Sequence, residues 1–452
     1  MVHIYSMQGL NIAIDGNSGC IHVVDDVAGA IIEEYHRCGD FDQVGKVLAD
    51  RFDPLVIRDT LWEIDSLRHA GLLFTPDLDP SLLSPPVQPG QNLKALCLHV
   101  AHDCNLACSY CFASKGSYKV AKKLMPRQTA FKAIDFLLAH SGDKKNVEID
   151  FFGGEPTLNF QVVQDTVAYG RQAAPGAGKQ LNFTITTNGT LLDQEKTAYI
   201  NEHMDNVVIS LDGRPSIHDQ VRPTANGENT YQTVMDEALR LVAARGDKSH
   251  YIRGTFTSRN PDFWQDVLHL ADVGFTEISL EPVVGRDGDL YLNPSHLPAI
   301  LASYERLADD YLNRIRDGRP YRFYHFNVDI YQGPCLQKRV SACGAGTEYL
   351  AVTPEGDLYP CHQFVGEPAF KMGDLDQGIT NYHLGEQFRQ ANIFTKESCR
   401  NCWAKLFCSG GCHANSYYTN KDITQPEEMF CAMQKKRLEC AITIEAWKSQ
   451  QE

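Results

Sequence analysis

Two short apolar runs open the chain, Leu10–Ile14 and Cys20–Val24, and between them Asp15-Gly16-Asn17-Ser18-Gly19 supplies turn formers, so a hairpin is predicted here. Helical spacing follows over Val27–His36 and Phe41–Arg51. Pro54 opens a third helix, which carries Leu61, Ile64 and Leu67 on one face and stops at Gly71. Residues 75–92 hold five prolines and read as a linker. From 94 to about 318 the pattern alternates. Leu93–Val100, Val147–Phe152, Leu181–Thr187, Asn206–Leu211, Tyr251–Thr257 and Thr276–Leu280 read as buried strands. Arg127–His140, Phe160–Arg171, Thr230–Ala244 and Phe263–Val273 are among the helices between them. Six βα units in series predict a parallel sheet curled into a partial or full barrel, with function at the C-terminal strand ends. Beyond 320 the alternation stops. Glu348–Thr353 and Leu358–Cys361 predict a hairpin around Pro354-Glu355-Gly356-Asp357, cysteine-dense loops follow, and Glu427–Lys448 reads as a closing helix. The expected domains are therefore 1–75, a linker at 76–92, a barrel at 93–320 and a cysteine-rich region at 321–452.

Composition narrows the function. A hydrophobic content of 43% and 22% charged residues suit an ordinary globular chain. The formal net charge of −15 argues against nucleic acid or an anionic membrane as partner. No run approaches the length of a membrane span, and the first residues lack the pattern of a signal peptide, so a cytoplasmic location is expected. Small strands and three helices at the start suggest a winged-helix module. Being acidic, it suits a peptide added as a strand better than DNA.

Fifteen cysteines are many for such a chain, and they cluster, which in a reducing compartment points to metal or redox chemistry. Cys104-x3-Cys108-x2-Cys111 directly follows the first barrel strand. Three thiolates can hold three irons of a [4Fe–4S] cluster and leave the fourth open, and an open position is what makes a metal site catalytic. The spacing and its place resemble the radical S-adenosylmethionine (SAM) superfamily. Later strand ends carry the same resemblance: Gly153-Gly154-Glu155-Pro156, then Thr187-Asn188-Gly189, then Ser210 with Arg222. The resemblance implies that the open iron chelates SAM and that the reduced cluster cleaves it to a 5′-deoxyadenosyl radical. It also implies that Phe112, Gly153, Gly154, Glu155, Thr187, Asn188, Ser210 and Arg222 hold SAM. Bare glycine lets the ligand amine approach, Glu155 can pair with that amine, and an arginine fork suits a carboxylate.

A second pattern runs Cys343-x12-Gly356-x4-Cys361, then Cys399-x2-Cys402-x5-Cys408-x3-Cys412, then Cys431. It resembles the SPASM extension with two auxiliary [4Fe–4S] clusters, three clusters in all. The resemblance implies one cluster on Cys399, Cys402, Cys408 and Cys431 and another on Cys343, Cys361 and Cys412. The last place of the inner cluster goes to Cys335 or to a substrate thiolate, which iron would deprotonate and fix.

The whole layout resembles the thioether-forming radical SAM maturases of cysteine-rich SCIFF peptides, of the sactipeptide or ranthipeptide kind. The module at 1–75 resembles a RiPP recognition element that binds a leader peptide. The fold implied is a partial (β/α)6 TIM-type radical SAM barrel between that winged helix and a SPASM domain. The implied reaction joins a cysteine sulfur to a carbon of another residue in one ribosomally made precursor peptide. Its electrons would come from a low-potential flavodoxin or ferredoxin, in an anaerobic or low-oxygen organism. Two rivals stand beside this reading. An anaerobic sulfatase maturase would make formylglycine, but carries aspartate where this chain has His362, and lacks a leader module. A non-catalytic iron–sulfur adaptor would bind peptide without needing the SAM motifs.

Overall fold

The computed structural model describes residues 1–80, 92–285, 288–330, 339–341 and 343–451. Most of the proline-rich stretch, and Cys335, lie outside the described residues.

The N-terminal module is an antiparallel meander, β1 (Val2–Met7), β2 (Leu10–Asp15) and β3 (Ile21–Val24), followed by helices α1 (Asp26–Cys38), α2 (Phe41–Leu48) and α3 (Pro54–His69). Each helix starts at an aspartate, Asp25, Asp40 or Asp53, whose side chain accepts a first-turn N–H. β1 is an addition to the hairpin expected from sequence. The middle strand is buried on both faces. Ala13 joins Ile31, Ile32 and Val44 in the module's own core, while Ile12 and Ile14 pack on Trp403, Leu438 and Ile442 of the C-terminal region. The turn is fitted just as closely. A Cβ on Gly16 would lie 2.7 Å from the Trp403 Cα, and the Lys405 Nζ donates to the Asn17 Oδ1 at 2.6 Å.

The central sheet holds the parallel strands β4 (Ala95–His102), β6 (Asn146–Gly153), β7 (Gln180–Thr187), β8 (Asn206–Ser210), β9 (Ser249–Phe256) and β10 (Glu277–Pro282), and a short β5 (Lys123–Leu124) pairs with β4. Helices α4 (Arg127–His140), α5 (Phe160–Ala173), α6 (Gln194–His203), α7 (Pro215–Val221), α8 (Tyr231–Ala243), α9 (Trp264–Val273) and α10 (Leu297–Arg316) cover it. This is a partial (β/α)6 barrel: β4 and β10 do not pair, so the sheet stays open. Two features beyond 320 extend it. β11 (Arg322–Phe323) adds parallel to β10, and β12 (Tyr349–Val352) adds parallel to β4 before turning at Gly356 (φ +94°) into the antiparallel β13 (Asp357–Tyr359). The predicted hairpin is present, and it is grafted onto the barrel sheet. A closing helix, Glu428–Ser449, packs against α10 and reaches the N-terminal module. Among the described residues no helix is long and apolar enough to cross a membrane.

Candidate functional site

The C-terminal ends of the barrel strands open into a cavity of about 190 Å3. Cys104, Cys108 and Cys111, from the loop after β4, line it together with Phe112, Gly153, Gly154, Thr187, Asn188, Ser210 and Arg222. Residues predicted from separate motifs thus share one wall.

The loop is pinned from two sides. Its Ala107 and Ser109 N–H groups donate to the Pro223 and Val221 carbonyls, each at 2.9 Å, which also fixes Arg222 nearby. Beneath it run the glycines of the second motif. A Cβ on Gly154 would lie 2.1 Å from the Asp103 carbonyl oxygen, and one on Gly153 (φ +122°) 2.3 Å from that of Ala101. The bare backbone there lets the cysteine loop itself come close.

Glu155 takes a different place from the cavity-lining residues. It is fully buried, and its carboxylate accepts from the Thr157 N and Oγ at 3.0 and 2.6 Å, the Thr187 Oγ at 2.7 Å and the Asn188 N at 2.7 Å. Burial raises its pKa and those bonds oppose the rise. It ties the end of β6 to the end of β7. Asn188, so held, donates to the Asn105 Oδ1 at 2.9 Å and to the Cys104 Sγ at 3.7 Å.

Arg222 is nearly buried. Its Nη1 donates to the Tyr110 hydroxyl at 2.6 Å, the Tyr110 hydroxyl donates to the buried Asp212 carboxylate at 2.7 Å, and its Nε has no partner among the described residues. An arginine with a spare donor on a cavity wall fits a carboxylate ligand. Sequence motifs missed two further charged residues of the wall. Arg253 near the end of β9 and Glu281 near the end of β10 line the cavity and face each other at 3.4 Å. The available signal was a charged side chain at a strand end in a barrel.

The thiols fit iron–sulfur clusters. Burial pushes Cys104 up to about 12 and raises Cys108, so a metal that displaces the proton is what makes such thiols into ligands. Among the described residues no three His, Cys, Asp or Glu side chains close on a point as a single metal ion requires. They stand around larger volumes instead. Cys399, Cys402, Cys408, Cys412 and Cys431 line a second cavity of about 230 Å3. Cys431, pushed up to about 12 chiefly by burial, also feels Cys408, Cys399 and Cys402. Cys361, raised by burial, feels Cys412 and Cys343. Cys412 thus lines the cavity of the outer group while also influencing Cys361. Cys361 adjoins the first cavity, because His362 and Gln363, directly after it in the chain, line that cavity. The His362 ring lies 4.9 Å from that of Phe152 and 5.6 Å from that of Phe112.

Comparison with known proteins gives matches to two family models. Residues 89–234 match a 4Fe-4S single cluster domain, and residues 343–403 match the SPASM iron-sulfur cluster-binding domain. The chain is 24% identical over 349 residues to the cysteine-type anaerobic sulfatase-maturating enzyme of Clostridium novyi (strain NT), covering 72% of this chain and 89% of that one. It is 25% identical over 352 residues to the mycofactocin maturase MftC of Mycolicibacterium smegmatis, covering 74% and 80%. Its fold resembles that of native anSMEcpe with bound AdoMet and Kp18Cys peptide, with a TM-score of 0.64 at 20% identity over 78% of this chain and 97% of that one. It also resembles Streptococcus suis SuiB, with a TM-score of 0.50 at 13% identity over 95% and 98%.

Proposed function

We propose that this chain, a radical SAM protein with a SPASM domain, is a peptide maturase that forms thioether cross-links within a cysteine-rich precursor peptide. Its cofactors are SAM and [4Fe–4S] clusters. On this reading Cys104, Cys108 and Cys111 hold the first cluster. Gly153, Gly154, Thr187, Asn188, Ser210 and Arg222 hold SAM, and Phe112 borders it. Bound together, that cluster and SAM supply a radical able to abstract a carbon-bound hydrogen.

The observation that carries the reading is the shared wall. His362 and Gln363 bring the backbone next to Cys361 into the cavity that Cys104, Cys108 and Cys111 line. Joining sulfur to carbon breaks one S–H and one C–H bond and forms one S–C bond. It therefore needs a place for the sulfur and an acceptor for one electron close to the site of hydrogen abstraction. Cys343, Cys361 and Cys412 would hold that acceptor beside the cavity, and Arg253 and Glu281 would orient the peptide across it. The cavity also shares Pro282 and Val283 with a larger one of about 780 Å3, room for an extended peptide segment.

The N-terminal module supports a leader-guided substrate. β3 is an edge strand, and Ile21, His22 and Val23 line a cavity of about 770 Å3 along it. An incoming leader strand would pair there. The solved structure of native anSMEcpe, which holds AdoMet and a Kp18Cys peptide, is consistent with a peptide partner.

A second reading has its own support. The relative in Clostridium novyi is a sulfatase-maturating enzyme, and formylglycine formation would use the same cavity. One experiment separates the two. Anaerobically reconstituted protein receives dithionite, SAM and a cysteine-rich precursor peptide, and products are read by mass spectrometry. Thioether formation removes two hydrogens per bond and keeps every sulfur, whereas formylglycine formation removes the sulfur. An unchanged peptide mass in the presence of SAM cleavage overturns the cross-linking proposal.

A further inference from the structure

Lys396 is among the largest side chains of the molecule with essentially no exposure, at 1%. It directly precedes the short helix Glu397–Arg400 that carries Cys399. Its ammonium donates to the Gly410 carbonyl at 2.8 Å. Gly410 stands between Cys408 and Cys412, which belong to different thiol sets. An ammonium has three protons to place and is costly to bury, by several kcal/mol, unless negative charge lies near it. Among the described residues none of the ion pairs involves Lys396. Burial pulls its pKa down, and the sulfurs of Cys399 and Cys408 in one set and Cys412 and Cys343 in the other act against that fall. A second buried lysine nearby, Lys405, is accounted for differently: it is spent on the Asn17 Oδ1 at 2.6 Å and the Arg400 carbonyl at 3.0 Å.

We propose that Lys396 is the common counter-ion of the two auxiliary clusters, set between them and raising both their reduction potentials. A cubane cluster on thiolates is a net anion and gains a further negative charge on reduction, so a fixed cation beside it favours the reduced state. One lysine between two clusters would bias both toward accepting the electron that cross-linking leaves behind. Lys396 is thus a positioning residue for charge and touches no substrate. The inference rests on the two thiol sets being the ligands of the auxiliary clusters.

The test is a redox titration followed by electron paramagnetic resonance on full-length, anaerobically reconstituted protein. Wild type is compared with Lys396→Met, Lys396→Gln and Lys396→Arg. Iron and sulfide analysis of the wild type comes first: content for a single cluster would overturn the ligand reading and the inference with it. With all clusters loaded, both auxiliary signals of the Met and Gln variants should titrate at lower potential. The reduced-to-oxidised ratio at a fixed poise should fall about tenfold, about 59 mV for a one-electron couple. The cluster on Cys104, Cys108 and Cys111 should stay put as the internal reference, and Arg should restore the wild-type values. The Gln variant keeps a donor for the Gly410 carbonyl, so it reports the charge even where Met disturbs the loop. Wild-type auxiliary potentials in a fully loaded Gln variant, or an equal shift of all three clusters, would overturn the inference.

Discussion

Glu155 offers a sharp test of how the cavity proposed to hold SAM is kept together. Its motif suggests a carboxylate aimed at the ligand amine, whereas its hydrogen bonds make it a clamp between two strand ends. Three donors converge on its Oε1, namely the Thr157 N and Oγ and the Thr187 Oγ, and the Asn188 N–H meets its Oε2. In Glu155→Gln the amide oxygen can keep the three bonds at Oε1. The amide nitrogen then faces the Asn188 N–H across a gap that is 2.7 Å in the native clamp. One charge-assisted bond is lost, worth about 1.5–3 kcal/mol. The remaining three weaken, because a neutral acceptor is roughly half as strong. Relief from burying a charge offsets part of this, leaving a net loss of about 2–4 kcal/mol. Asn188 carries that loss into the cavity, since it lines the wall and holds Asn105 and the Cys104 sulfur. SAM binding to reconstituted protein of verified iron content, measured by calorimetry, should weaken about ten- to a hundredfold, which is about 1.4–2.8 kcal/mol. Thr187→Val, which removes one of the four donors, should weaken it several-fold. If Glu155→Gln binds SAM within about twofold of wild type with its clusters intact, the clamp does not set the cavity and this reasoning fails.

Gly154→Ala should abolish both cluster loading and SAM binding, because its Cβ would sit 2.1 Å from the Asp103 oxygen; near-normal iron content in the variant would refute the close approach. His218 and His325 are both pulled down to about 3, first by burial and then by Arg222 and Arg437 respectively. A ring whose native pKa lies below its unfolded value gives stability that is complete above about 6.5 and drains as pH falls toward 3, at most about 1.4 kcal/mol per unit per ring. The denaturation midpoint should therefore drop from pH 7 to pH 5 and drop less in His218→Gln; equal profiles would count against it. Gly16→Ala should loosen the N-terminal module, whose turn abuts the Trp403 backbone, and speed hydrogen exchange over residues 1–75 while iron content holds. Unchanged exchange would show that the contact is dispensable.

The barrel was legible because its strands are apolar runs separated by helices with clear faces, and the expected strands fall within a few residues of those observed. β1 was hidden for a physical reason. Its alternate residues His3 and Tyr5 are polar, and their partners lie at the far end of the chain. His3 stacks on Trp403 at 4.2 Å and meets the Glu439 carboxylate at 2.9 Å, and the Tyr5 hydroxyl donates to the Glu439 carbonyl. A local pattern cannot register such pairing. The same holds for β12: the hairpin is written in its own turn residues, but its parallel pairing with β4 joins positions some 250 residues apart and leaves no local trace.

The site divides along the same line. Ligand cysteines and glycines announce themselves by spacing, because a cluster or a close backbone approach imposes fixed residue types at fixed intervals. Charges that tune the site carry no such constraint. Arg253 and Glu281 come from strands far apart in sequence that pair side by side in the sheet, and they meet at the cavity wall two register positions apart. Lys396, in the sequence Thr395-Lys396-Glu397, reads as ordinary surface until the chain folds back and sets Gly410 against it. Motifs therefore specify where iron and SAM would sit. On the proposal made for Lys396, the direction in which electrons leave would depend on long-range packing that no ligand motif records. Reaction chemistry in such a chain is thus open to change through residues that no ligand motif contains.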